Sequence, residues 1–165
     1  HNLETSREFY SQICTTHPWE ERYETCENVN SVGLKLISGG IFGMGETHED
    51  RISMLRSLKE LNPVSVPLNF YHHNPALPLD PSPLSVDEAL SLITLARQTL
   101  DGADRIMIAG GREITFKERQ NEIFDAGANS IVIGDYLTTA GRDAHQDLQM
   151  LRGLGFEIAT SPEDK

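Results

Sequence analysis

Short apolar segments alternate with longer amphipathic ones along this chain, and the alternation repeats four times. Residues 22–33 ("RYETCENVNSVG") read as a helix closed by a C-terminal glycine, and 34–38 ("LKLIS") as a short strand. Residues 47–62 keep helical spacing at Ile52, Leu55, Leu58 and Leu61, behind Thr47 as N-cap. Residues 64–71 read as the next strand. A helix follows over 84–100, with Ser85 as cap and Asp87 and Glu88 in the first turn. Strands at 105–110 and 129–134 bracket a helix at 115–127, and a last helix covers 142–155. A strand–helix repeat of roughly 30 residues implies parallel strands joined by right-handed crossovers. The strands are apolar on both alternating faces, as in a sheet covered by helices. Four such units make half of an eightfold barrel or a small open sheet, and 165 residues suit one domain.

The charge narrows the function classes. The chain carries 25 acidic against 14 basic residues, a net charge of −11. That sign repels phosphate backbones and anionic lipid, so neither nucleic acid nor a membrane is expected as a partner. No apolar run approaches the roughly 20 residues of a membrane span. The only two cysteines, Cys14 and Cys26, form no C-x-x-C and have no second ligand pair at zinc spacing. They read as free thiols of a cytoplasmic protein. The first residue is His1, not Met, as expected of a piece cut from something longer.

Polar and glycine residues gather where each strand ends. They are Ser38-Gly39-Gly40, then Asn69, then Ala109 to Glu113, then Gly134 to Thr139. Parallel α/β folds bind ligands at that end of the sheet, so the pattern points to a small-molecule site. Taken singly, each glycine equally suits a tight turn.

These stretches, in this order, resemble the biotin synthases, which are radical S-adenosylmethionine (SAM) enzymes. The resemblance rests on "HNLETS" at 1–6, "CTTHPWEERYETCENVNSVGLKLISGGIFGMGET" at 14–47 and "SVPLNF" at 65–70. "AGGRE" at 109–113 and "GANSIVIGDYLTTAG" at 127–141 complete it. It implies the second half of a (β/α)8 barrel, with residues 1–165 forming a single partial domain. It also implies sulfur insertion into dethiobiotin to give biotin. A [4Fe-4S] cluster held by C-x-x-x-C-x-x-C generates a 5′-deoxyadenosyl radical from SAM, and an auxiliary iron–sulfur cluster supplies sulfur. The cysteine motif belongs to the N-terminal half of the barrel and is absent from this sequence, so the chain alone is expected to be inactive. The family further implies a homodimer served by reductant and sulfur-donor proteins.

The resemblance carries over residue by residue. Asn2 and Glu4 match an N-x-D pattern that reaches substrate and ribose hydroxyls, with Glu replacing Asp. Arg22 matches the arginine that pairs with the methionyl carboxylate. Ile41 and His72 are expected beside adenine. Asn2, Asn69 and Thr138 are expected on dethiobiotin, where an amide and a hydroxyl suit a cyclic urea.

Two positions depart from the commonest form. Ile37 stands where a cysteine ligates the auxiliary [2Fe-2S] cluster, and Met107 stands where an arginine completes it. Neither is a metal ligand here. Arg105 points to the same side of its strand as Met107, about one step deeper, and Arg112 aligns with another arginine beyond the strand. Cys14 and Cys26 fall in the outer layer and are not expected to replace the lost ligands. His73 is expected in a turn, and adjacent His72 and His73 point to opposite faces, which disfavours a shared metal. Two alternatives stay open: a paralogous radical SAM enzyme without sulfur insertion, and a non-catalytic half-barrel that binds a nucleoside.

Overall fold

The computed structural model describes residues 1–79, 81–135 and 141–161. Among these residues an N-terminal pair of α-helices is followed by four strands interleaved with five more α-helices. The strands are β1 (Gly40–Phe42), β2 (Ser65–Phe70), β3 (Arg105–Ile108) and β4 (Ser130–Ile131). All pair in parallel, in the order β1-β2-β3-β4. Each successive strand therefore lies beside the one before it, as the four-unit reading requires. Residues 2–4 extend the sheet beyond β1: Glu4 bridges Gly40 in parallel, and Ile41 N donates to the Glu4 carbonyl at 2.7 Å.

Strand alternation assigns the two faces. Even-numbered Val66, Leu68, Ile106 and Ile108 are fully buried against Leu55, Leu58 and Ile93 of the helical layer. The odd-numbered residues Ile41, Ser65, Asn69, Arg105 and Met107 face the other side, which is the interior side of a closing barrel.

The helices α3 (His48–Leu61) and α4 (Val86–Thr99) follow the sequence reading closely. Both begin with a full capping box, Thr47 with Asp50 and Ser85 with Glu88. Helix α2 (Trp19–Ser31) starts three residues before the expected Arg22 and ends as expected beside Gly33, whose φ is +76°.

Three expectations are corrected. Helix α1 (Arg7–Ile13) was unforeseen; Ser6 caps it by accepting from Phe9 N at 3.0 Å and also donates to Asp50 at 2.7 Å. The strand expected at 34–38 lies instead at Gly40–Phe42, with one isolated bridge at Ile37. Odd-numbered residues of β2 hydrogen-bond toward β1: Ser65 O accepts from Ser38 N, and Tyr71 N donates to Phe42 O. Pro67 has that parity and no N–H, so the ladder breaks between Ile37 and Gly40. The helix expected at 115–127 is two short helices, α5 (Arg112–Phe116) and α6 (Glu122–Asp125), linked by a 3₁₀ turn. Lys117, at φ +50°, breaks the hydrogen-bond ladder and lets both Phe116 and Ile123 reach the core. The last helix, α7 (Ala144–Gly153), is capped by Asp143.

Candidate functional site

Helix α2 lays one face on the N-terminal extended segment. Trp19 Nε1 donates to the Thr5 carbonyl at 3.0 Å, Arg22 Nη1 to the Asn2 carbonyl at 2.8 Å, and Cys26 Sγ to the His1 carbonyl at 3.4 Å. Positions 19, 22 and 26 share a helical face, which is why all three meet one strand. Arg22 also donates from Nε to Tyr10 Oη at 2.8 Å, and its Nη1 lies 3.5 Å from Glu4 Oε1. Asn2, Glu4 and Arg22, expected in one binding site, thus meet around one guanidinium.

Glu4 is strained and half-buried. Its φ of +71° is unusual for a residue with a side chain. Burial raises its carboxyl pKa, while the nearby Arg22 charge pulls the other way. Asn2 Oδ1 accepts from Gly39 N at 3.1 Å, tying this segment to the glycine turn.

The glycine turn itself admits the protein's own backbone. A Cβ on Gly39 would lie 1.9 Å from the Pro67 carbonyl oxygen, and one on Gly111 would lie 2.0 Å from that of Phe70. Neither position tolerates a side chain. The Gly43–Met44 amides are closed by Glu46, whose two carboxylate oxygens accept from them at 2.8 Å each and which also pairs with Arg51.

Asn69 pairs in register with Ile41. Its amide bridges two strand ends: Nδ2 donates to the Gly40 carbonyl at 3.1 Å, and Oδ1 accepts from Gly110 N at 2.9 Å. Glu4, Ile41 and Asn69 therefore fall within one residue of the same level across three neighbouring segments. One Nδ2 hydrogen and one Oδ1 lone pair remain for a ligand. His72 is half-buried just beyond β2 and His73 is exposed. Thr138 lies outside the described residues.

The polar residues following β3 do not join that group. Arg112 is fully buried, donating to Asp147 from both Nη1 (3.1 Å) and Nη2 (2.5 Å) and to Gln120 Oε1. Glu113 pairs with Arg112 at 2.8 Å and accepts from Arg142 N at 3.3 Å. This cluster fastens α5 to α7. Ser38 is likewise turned away: it is fully buried on the helical side, 3.6 Å from Cys26 Sγ.

Ile37 is 49% exposed on the interior face, and it pairs across β2 with Ser65. Ser65 in turn pairs with Arg105, while Met107 pairs with Pro67 one layer further along. The buried Ser65 hydroxyl has no hydrogen-bond partner among the described residues. Sequence reasoning missed it, because a serine opening an apolar strand carries no signal until its neighbours are known. Ile37 has no donor atom, and Cys14 and Cys26 sit in the helical layer. Among the described residues no group of three or more His, Cys, Asp or Glu side chains could hold a metal ion. Among the described residues, the side chains at Ile37 and Met107 therefore do not fit an iron–sulfur cluster as ligands.

Residues 67–157 match the family described as the Biotin and Thiamin Synthesis associated domain. The chain belongs to that family. Similarity to curated proteins runs further, over nearly the whole chain. It is 66% identical over 161 residues to the biotin synthase of Sulfurimonas denitrificans, covering 98% of this chain and 57% of that protein. With the biotin synthase of Aliarcobacter butzleri the identity is 58%, covering 96% and 56%. The chain thus spans rather more than half the length of the relatives it matches. The fold resembles that of methylornithine synthase, with a TM-score of 0.73 at 20% identity, covering 96% of this chain and 51% of that one. The expected fold class, four parallel strands with flanking helices as in the second half of a (β/α)8 barrel, is therefore the one found. No helix among the described residues is long and apolar enough to cross a membrane.

Proposed function

We propose that this chain supplies the C-terminal half of a biotin synthase barrel, which binds SAM and dethiobiotin for radical sulfur insertion. The observation that carries this is the meeting of Asn2, Glu4 and Arg22 around one guanidinium, within a residue of the level of Ile41 and Asn69. Those are the residues that the resemblance to the biotin synthases assigns to SAM and dethiobiotin.

In this reading Arg22 receives the methionyl carboxylate as a charge-assisted pair. Glu4 takes ribose hydroxyls, Ile41 and His72 flank adenine, and Asn2, Asn69 and Thr138 orient the ureido ring. When bound elsewhere in the complete enzyme, the [4Fe-4S] cluster supplies the electron that cleaves SAM. This chain binds and orients the two substrates and shields them from water. A homodimer in the cytoplasm, a reductant and a sulfur donor complete the proposal.

A second reading is favoured by Ile37 and Met107, which remove two ligands of the usual auxiliary cluster: a radical SAM enzyme without sulfur insertion. Joining this sequence to an N-terminal half that carries C-x-x-x-C-x-x-C, then assaying dethiobiotin with SAM and reductant, separates the two. Biotin together with 5′-deoxyadenosine supports the first. Deoxyadenosine without biotin supports the second.

A further inference from the structure

We propose that Tyr10 and His17 form a positioning relay that holds the Arg22 guanidinium ready for a carboxylate ligand. The inference rests on the reading of Arg22 as the SAM carboxylate partner, and it assigns roles to two residues outside that reading.

Tyr10 is 3% exposed, yet its hydroxyl serves two polar neighbours. Arg22 Nε lies 2.8 Å away on one side and His17 Nε2 lies 2.8 Å away on the other. An arginine nitrogen only donates, so the hydroxyl must accept from Arg22. Its own hydrogen is then turned away from Arg22, to His17 Nε2 at 2.8 Å, with the Cys14 thiol as a second neighbour able to take it. Nε2 can accept it only in a neutral imidazole whose proton is on Nδ1. Thr16 Oγ1, 2.9 Å from Nδ1, is placed to take that proton. The arginine at the head of the row fixes the direction of its first hydrogen bond, and Cys14 Sγ borders the far end, 3.4 Å from Thr16 Oγ1 and 3.8 Å from His17 Nδ1.

The consequence falls on the guanidinium. Nε is held by Tyr10, and Nη1 by the Asn2 carbonyl at 2.8 Å. Together with the covalent attachment at Cδ, these two contacts fix the plane of a rigid group. Nη2 has no hydrogen bond among the described residues, so that edge of the fork is the one presented to a ligand. A fork already held in plane loses less freedom when a carboxylate docks. Tyr10 is therefore a positioning residue, acting through Arg22, and His17 orients the Tyr10 hydroxyl.

The test uses the full-length enzyme and measures the dissociation constants of SAM and dethiobiotin separately, with kcat and KM for each. Tyr10→Phe keeps the buried ring and removes only the hydroxyl. It is expected to weaken SAM binding about ten-fold or more, with dethiobiotin binding held within about two-fold. His17→Leu, at a half-exposed position, is expected to weaken SAM binding in the same direction. His17→Gln, whose amide oxygen can accept the tyrosine proton, is expected to restore most of it. Should Tyr10→Phe fail to fold, the contrast between the His17 variants decides. Arg22→Ala is the control. Loss of SAM affinity in Arg22→Ala, with Tyr10→Phe and His17→Leu unchanged, overturns the relay and leaves the site reading intact. No effect of Arg22→Ala overturns the site reading, and the relay's role with it. Equal losses for SAM and dethiobiotin in Tyr10→Phe reduce the tyrosine to a packing residue and overturn the relay.

Discussion

Ile37 lies level with Arg105, each paired in register with Ser65 between them, whereas Met107 occupies the next layer. Two strands apart, the pair spans roughly 10 Å of sheet. An isoleucine offers no donor atom, and a [2Fe-2S] cluster normally needs four protein ligands. Reconstituted full-length enzyme is therefore expected to lack the family's usual [2Fe-2S] signature while keeping the radical [4Fe-4S] cluster. Iron and sulfide analysis with Mössbauer spectroscopy checks this. A stable [2Fe-2S] centre bound between β1 and β3 would show the assignment of these positions to be wrong.

Arg22→Ala in the full-length enzyme is expected to weaken SAM binding by ~2–4 kcal/mol, since a carboxylate loses its charged partner. Titration calorimetry reads this directly, and an unchanged dissociation constant removes Arg22 from the site.

The Arg112–Asp147 pair is fully buried on both sides. Removing Asp147 leaves the buried Arg112 with Glu113 as its remaining carboxylate, so Asp147→Ala should cost about 1–3 kcal/mol of stability. Replacing both residues together by apolar ones of similar volume should recover much of that loss. Urea unfolding of the single and double variants measures both.

Asn69→Asp keeps an acceptor for Gly110 N but turns a carboxylate oxygen on the Gly40 carbonyl. The lost donor should destabilise the protein by about 1–3 kcal/mol. An unfolding midpoint equal to wild type would mean the amide does not tie the strand ends together.

Hydrogen bonds from the Thr16 hydroxyl first, then from Tyr10 and the Thr16 backbone, lower the Cys14 thiol pKa to about 6. The thiolate, the reactive form, is thus present above that pH and lost below it. Iodoacetamide labelling of Cys14 should rise through about pH 6 and level off by neutrality. Cys26, which is fully buried, should stay unlabelled in the native protein. A Cys14 profile still climbing through pH 8–9, the usual thiol range, counts against the shift.

Periodicity and caps were local, and so they were legible. The capping boxes at Thr47–Asp50 and Ser85–Glu88, the glycine end of α2 and the four-fold strand–helix alternation depend on residues a few positions apart. Family motifs singled out Asn2, Glu4, Arg22 and Asn69 as candidates. Tertiary structure decided whatever depended on partners distant in sequence. Pro67 moved the first strand four to six residues along, because its missing N–H matters only where β1 lies beside it. Arg112, grouped in the sequence with the polar residues that follow the third strand, became a buried tie to Asp147, 35 residues on. Tyr10 gave no functional signal at all. Its proposed role depends on His17 and Arg22 both reaching its hydroxyl, each at 2.8 Å, and hydrogen-bond direction exists only once donors and acceptors have been brought together in space.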